Sequence, residues 1–299
     1  MNYKKLIRSR ALRIKILNIL GWLPDELMVR VQYWIHTGRR LNLKNLKRFT
    51  EKLQVYKLEY RNPLMLRCTD KYEVREVVKE MGLEDILIPL IGVYNSTKEI
   101  NFELLPNQFV AKTTDGGGGN QVLICRNKKE LTAENFYSQI KIWLKASKTK
   151  NAGREWAYKN DYPRRIIIEQ LISDGKNKDI TDYKFYCFNG EPKYCQLIGS
   201  RSTEETIDFY DMNWNHMPFR GLNPTCKNSR TLCEKPIHFD EMKDIASKLS
   251  LNFPFVRVDL YDTGERIYFG ELTFYPASGY GHFTPDMWDE RIGNLLTFS

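Results

Sequence analysis

Phe109-Val-Ala-Lys112-Thr-Thr-Asp115-Gly-Gly-Gly-Gly119-Asn120-Gln-Val-Leu-Ile124 constrains the fold more than any other stretch of the chain. A short apolar run ends in a lysine, four glycines follow, and a second apolar run from Val122 to Cys125 closes it. The pattern predicts strand, glycine loop, strand. Consecutive glycines lose the most backbone entropy on ordering. They also expose bare amides to an anion, with Lys112 supplying positive charge beside them. Two readings follow: a flap over nucleotide phosphates, or a mobile hairpin tip with no ligand. The P-loop is excluded, because its lysine follows the glycines and opens a helix. The dinucleotide fingerprint is excluded because it too leads into a helix.

The 299 residues suit two domains, or one with an extension. No apolar run approaches the ~18–20 residues that span a bilayer. The run Ile14-Lys15-Ile16-Leu17-Asn18-Ile19-Leu20 is too short and interrupted for a secretory signal. The six cysteines form no Cys-x-x-Cys pair and the four histidines are scattered, which argues against zinc. Cys187 and Cys195 fall in apolar strand patterns and read as inert core thiols, so a reduced, cytoplasmic protein is expected.

The net charge of +9 is unevenly placed. Residues 1–61 hold fifteen Lys/Arg against four Asp/Glu, whereas the remainder holds thirty-one against thirty-three. Residues 1–60 read as helical, with a break at Gly21-Trp22-Leu23, a new start at Pro24 or Asp25, and a third short helix after Asn42 or Asn45. Such a basic amphipathic segment suits either an anionic membrane surface or a layer packed on the rest of the protein. No nucleic-acid recognition module is visible, so nucleic acid is not an expected partner.

Further along, Tyr72–Gly82 is a predicted helix capped by Thr69 or Asp70. Ile86–Tyr94 is extended, because Pro89 excludes a helix interior. Thr132–Lys148 is an amphipathic helix with Phe136, Ile140, Trp143 and Leu144 inward. Arg165–Ile172 is a buried strand carrying Glu169. Asp182–Ile198 reads as two strands joined at Asn189-Gly190, the strongest short hairpin signal. Residues 200–235 read as a long irregular span, either a functional loop or a disordered one, and His238–Leu249 as a helix.

Phe255–Tyr261 and Arg266–Phe274 are a strand pair with acids on one face: Arg257 and Asp259 on the first, Glu271 and Thr273 on the second. Charged groups among such apolar neighbours need a partner or a metal. Facing carboxylates on strands ~4.8 Å apart could share magnesium through ~2.1 Å bonds. A tight turn at Thr263-Gly264 would not place Asp259 opposite Glu271; that needs a wider loop or a bulge, for which Gly270 is suited. The competing reading is a surface hairpin in which Arg257 pairs with Asp259.

As a set, Asp70-Lys71-Tyr72-x-Val74-Arg75, Phe109-Val-Ala-Lys112, Ile167-Ile-Glu169, Asp182-Tyr-Lys184-Phe-x-Cys-Phe-Asn-Gly190, Arg257-Val-Asp259 and Phe269-Gly-Glu271-Leu-Thr-Phe274-x-Pro276-Ala-Ser-Gly279 resemble the ATP-grasp superfamily, and within it the teichuronopeptide-biosynthesis (TupA-like) branch. The resemblance covers most of residues 40–299. It implies an α+β class: two α+β subdomains clasping ATP after a basic helical N-terminal region. The implied divisions are 1–60, a preceding region at 61–105, an N-subdomain with the flap at 106–168, and a C-subdomain with the metal site at 169–299.

By that resemblance, ATP and Mg2+ are the expected cofactors. Lys71 and Lys112 correspond to lysines on the phosphates and adenine edge, and Gly116, Gly117, Gly118 and Gly119 form the flap. Glu169 with the backbone of Gln170, Leu171 and Ile172 takes the adenine, and Asp182 the ribose. Lys184 and Arg201 fall near phosphate or acyl-phosphate contacts. Asp259 and Glu271 match magnesium ligands, and Arg257 an arginine that steadies the transferring phosphoryl group. Many members carry asparagine where this chain has Thr273, a weaker ligand, which puts a second metal in question.

The implied activity is a carboxylate–amine ligase working through an acyl phosphate, joining an amino acid or amine to a uronic acid in bacterial cell-surface polysaccharide synthesis. A lipid-linked glycan would be met at the inner membrane face, with residues 1–60 providing peripheral attachment. Two other classes stay open: a kinase or glycosyltransferase of the same pathway, and a non-catalytic nucleotide-binding scaffold.

Overall fold

The computed structural model describes residues 16–17, 19–117, 121–146, 153–175, 180–199, 205–223 and 226–298. In chain order the helices are α1 (Asp25–Thr37), α2 (Phe49–Glu59), α3 (Leu64–Cys68), α4 (Glu73–Glu80), α5 (Ala133–Lys145), α6 (Phe239–Ser250) and α7 (Met287–Gly293). The strands are β1 (Leu90–Tyr94), β2 (Phe109–Thr113), β3 (Val122–Cys125), β4 (Ile166–Gln170), β5 (Asp182–Phe188), β6 (Glu191–Gly199), β7 (Thr206–Asp211), β8 (Arg220–Gly221), β9 (Phe255–Asp262), β10 (Ile267–Thr273) and β11 (Phe283–Thr284). No helix among the described residues is long and apolar enough to cross a membrane.

One antiparallel sheet runs β1-β4-β2-β3. Phe109 and Ala111 of β2 point into a core with Phe136, Ile140 and Trp143 of α5, as the helical spacing predicts. Strand alternation then turns Val110 and Lys112 to the opposite face. β2 and β3 are the strands expected on either side of the glycines; Gly118, Gly119 and Asn120 lie outside the described residues.

The second sheet runs β10-β9-β5-β6-β7, also antiparallel. Asn189 and Gly190 both have positive φ (50° and 83°), the backbone a two-residue hairpin requires. Helix α6 covers one face with Phe239, Met242 and Leu249. Helix α2 enters the same core: Phe49 lies edge-on to Phe255 at 4.9 Å, and Tyr56 donates to the Phe255 carbonyl at 2.9 Å. Thr50 of α2 donates to Asp289 of α7 from its hydroxyl at 2.7 Å and from its amide at 3.0 Å. The N-terminal helices are therefore a packed layer. α1 begins at Asp25, as read from the sequence, and buries Val29 and Tyr33 against Leu41 and Tyr280. The basic stretch from Leu6 to Lys15 lies outside the described residues.

Two expectations need correction. Residues 200–235 are not one irregular loop: β7 pairs with β6 from Gly199↔Thr206 to Tyr194↔Asp211, and β8 pairs with β11. Within Ile86–Tyr94 only Leu90–Tyr94 is a strand, and Glu84–Ile86 forms a 3-10 turn. The thiols behave as expected: the cysteines are free, all but Cys233 are buried, and burial pushes Cys187 up to about 12.

Of the acidic hairpin, β9 is interior, flanked by β10 and β5, whereas β10 is the edge of the sheet. The hairpin register runs Phe269↔Leu260 and then Glu271↔Asp259, so Gly270 is the extra residue of a bulge. Without that bulge Glu271 would pass Asp259 by one position and face away. A Cβ on Gly270 would sit 2.9 Å from the Asp259 carbonyl oxygen, inside contact distance. Gly270→Ala is expected to cost about 1–3 kcal/mol, seen as a lower Tm, by disturbing the register that sets Glu271 opposite Asp259.

Candidate active site

The two sheets face each other across a cavity of about 750 Å3 that continues into a smaller one of about 250 Å3. Both are lined by Lys71, Lys112, Gly116, Glu169, Arg257, Gly270 and Glu271, so the glycine hairpin and the acidic hairpin meet over one space. Gln170, Leu171, Ile172, Asp182, Lys184 and Asp259 line the larger part, and Gly117 and Thr273 the smaller. Arg201, Gly118 and Gly119 lie outside the described residues. The larger volume falls within the ~300–1,000 Å3 of small-molecule sites.

Each charged group has a built position. Lys71 follows Asp70, whose buried carboxylate accepts the amides of Tyr72 (2.9 Å) and Glu73 (3.1 Å) and so starts α4. The Lys71 amide donates to the Thr114 carbonyl at 2.9 Å, and its ammonium donates to the Gly116 carbonyl. Burial draws the Lys71 ammonium below its usual range. At the end of β4, Glu169 is buried between two cations: Arg75 at 2.9 Å and Lys112 at 2.6 Å. Arg75 was in the quoted motif without a role. Its signal was a charge on the face of α4 that buries Val74, Val77 and Val78, which demands an acid nearby.

In the second sheet, Lys184 lies between Asp182, at 2.5 Å, and Asp259. The Arg257 guanidinium grips Asp259 with two bonds of 2.6 Å and reaches Glu271 at 3.1 Å and the Thr273 hydroxyl at 3.0 Å. Asp259 is 1% exposed; burial opposes its charge, but Arg257 and Lys184 outweigh that and hold the carboxyl below its usual range. Burial raises the Asp182 carboxyl, and the negative charge of Asp259 adds to the effect. The Arg257–Asp259 contact of the surface-hairpin reading is present, with Asp259 buried on the interior strand and Glu271 exposed on the edge strand.

Asp259 and Glu271 both lie within 3.1 Å of one guanidinium nitrogen, so their oxygens already converge on a single cationic atom. Hard oxygens on one or two carboxylates, completed by phosphate and water, are what Mg2+ accepts. The donor set fits that ion. No cluster of three His, Cys, Asp or Glu occurs among the described residues, so the chain would leave most of the coordination sphere to phosphate and water. The Thr273 hydroxyl is turned to Arg257 and donates to Glu271 at 3.1 Å.

No curated protein matches the chain. Among solved structures, D-alanine–D-alanine ligase from Bacillus anthracis is similar at 16% identity and TM-score 0.45, over 76% of this chain and 62% of that one. N5-carboxyaminoimidazole synthetase from Staphylococcus aureus, complexed with ADP, is similar at 15% identity and TM-score 0.44, over 75% and 50%. The ATP-grasp ligase PsnB, with Mg and ADP, is similar at 11% identity and TM-score 0.43, over 75% and 57%. The chain thus spans between half and two thirds of the length of these proteins. A family profile described as TupA-like ATPgrasp matches residues 51–297, which takes in most of α2, both sheets and every described residue that lines the two cavities. The chain belongs to the TupA-like ATP-grasp family.

Proposed function

We propose that the protein is an ATP- and Mg2+-dependent ligase that joins a carboxylate to an amine. The observation that carries this reading is the convergence of Lys71, Lys112, Arg257 and Glu271 on one cavity, with Asp259 beside them. The backbone of Gln170–Ile172 would hold the adenine at the far end of that cavity, and Asp182 the ribose. Lys71, Lys112 and the amides of Gly116 and Gly117 would hold the phosphates, with Lys184 and Arg201 near the transferring group. Asp259 and Glu271 would ligate Mg2+, which supplies positive charge against the triphosphate. Thr273, bonded to Arg257 and Glu271, acts here by orienting them rather than as a strong ligand.

A substrate carboxylate oxygen attacks the γ-phosphorus and ADP leaves. Arg257 and Lys112 neutralise the charge spread over the transferring oxygens. The amine nitrogen then attacks the acyl carbon, phosphate leaves, the nitrogen gives up its proton, and an amide remains. The glycine flap, closed over the site, keeps water from the acyl phosphate.

For the substrates, the family description favours an acid and an amine of cell-surface polysaccharide, a uronic acid and an amino acid being the pair to try first. Phosphate release screened over uronic acids crossed with amino acids, with mass spectrometry of the product, tests this. ATP consumption yielding a phosphorylated acid and no amide would replace the ligase by a kinase.

A lipid-linked form of that acid would be met at the inner face of the cytoplasmic membrane. The basic segment 1–60 and the exposed apolar residues Ile19, Trp22, Leu27, Val31 and Trp34 support peripheral attachment there. Replacing Arg8, Arg10, Arg13 and Lys15 by serine is expected to release the protein from anionic vesicles in a flotation assay. Undiminished binding would remove those four charges from the account.

A further inference from the structure

Behind the smaller cavity, the 3-10 turn Pro276–Gly279 has an unusual backbone. Ala277 (φ 48°), Ser278 (φ 55°) and Gly279 (φ 67°) are successive left-handed residues. For alanine and serine such a backbone is unfavourable and persists only where its surroundings enforce it. Pro276 and Ala277 form the cavity wall beside Arg257 and Thr273. The enforcement comes from α2. The Lys57 ammonium donates to the Ser278 carbonyl at 2.5 Å and lies 3.2 Å from its hydroxyl, 3.1 Å from the Gln54 carbonyl oxygen and 4.2 Å from the centre of the Tyr280 ring. Gln54 donates to the Gly279 carbonyl at 2.7 Å. From the other side, the Ser278 hydroxyl donates to Glu155 at 2.6 Å.

Lys57 is 1% exposed. An ammonium so buried is expensive unless its bonds are specific. Burial draws it down to about 8, with Glu155 opposing the shift. A packing role alone would be served as well by a methionine. The charge is spent on one object, the strained turn.

We propose that Lys57 is a positioning residue: acting through Ser278 and Glu155, it holds the Pro276–Gly279 turn as the wall against which the non-nucleotide substrate of the reaction is seated. The turn lines the smaller cavity and Gln170–Ile172 only the larger one, so the substrate it positions is the acid or the amine rather than the adenine end of ATP. This rests on the ligase reading for its kinetic arm alone.

Two variants test it: Lys57→Met, which keeps the length and removes the charge, and Ser278→Ala, which removes only the hydroxyl between Lys57 and Glu155. Amide hydrogen exchange is read first, on a peptide spanning the turn. The Ser278 and Tyr280 amides, bonded to Tyr275 and Ala277 carbonyls at 2.8 and 3.0 Å, should lose protection at least tenfold. Protection in β9 and β10 should be unchanged. In turnover assays the KM of the acid or the amine should rise at least tenfold, with the KM of ATP within twofold of wild type. Unchanged exchange at the turn in both variants overturns the clamp whatever the reaction proves to be. Loosened exchange with an equal rise in all KM values reduces Lys57 to a stabilising residue and overturns the positioning role. If wild type releases no phosphate with any acid and amine, the ligase reading fails and the exchange arm still decides the clamp.

Discussion

Glu271→Gln is expected to lower kcat by on the order of 10^2–10^3-fold, the scale of loss when one preorganised electrostatic group is removed from an active site, while leaving the fold intact. The Glu271 side chain is 48% exposed, and its neighbours Arg257 and Thr273 keep other partners when its charge is removed. Asp259→Asn should differ in kind. The same catalytic loss would be joined by a loss of stability of about 3–5 kcal/mol, the usual effect of removing one partner from a buried ion pair. Asp259 is the shared anion of Arg257 and Lys184; an amide in its place leaves Lys184 to Asp182 and Arg257 to Glu271. Denaturant titration beside turnover separates the two. Equal stability losses in both variants would contradict the assignment of Asp259 as the structural centre of the site and Glu271 as its exposed ligand.

Lys112→Met is expected to weaken ATP binding by roughly 10- to 100-fold, the equivalent of one charge-assisted hydrogen bond worth about 1.5–3 kcal/mol. The fold should survive, because Glu169 keeps Arg75 at 2.9 Å. Glu169→Gln should do the reverse to stability: it removes the anion that both Arg75 and Lys112 need, and about 3–5 kcal/mol with it. Calorimetric titration with ATP gives the first effect and thermal unfolding the second. An unaltered ATP affinity in Lys112→Met would move the phosphates away from β2.

The parts of this site that the sequence made legible are those fixed by backbone chemistry over a few residues. Lys112 before four glycines, and Asn189-Gly190 between two alternating runs, each specify a local conformation wherever the chain goes next. A two-residue turn at Thr263-Gly264 would set Asp259 opposite Tyr268; the facing acids need both the wider four-residue loop 263–266 and the bulge at Gly270, which the sequence offered only as alternatives. What could not be read depends on contacts between distant segments. The sharing of Lys184 by Asp182 and Asp259, the pairing of Arg75 with Glu169 across ninety-four positions, and the grip of Lys57 on Ser278 are set only when the layers assemble.

Strand β7 was hidden for a different reason. Its apolar run is broken by Asp208, which looks like a loop residue. In the fold that carboxylate is buried and accepts bonds from His216, Asn228 and the Ser229 amide. A buried acid with three donors is consistent with a strand, but those donors lie eight to twenty-one positions away.

The most direct measurement is a crystal structure of the protein with Mg2+ and a non-hydrolysable ATP analogue. The account predicts adenine against Gln170–Ile172, a triphosphate running under Lys112 and the glycine hairpin, and Mg2+ between that triphosphate and the carboxylates of Asp259 and Glu271. A nucleotide bound elsewhere, with Arg257 still closing the gap between those two acids, would contradict it.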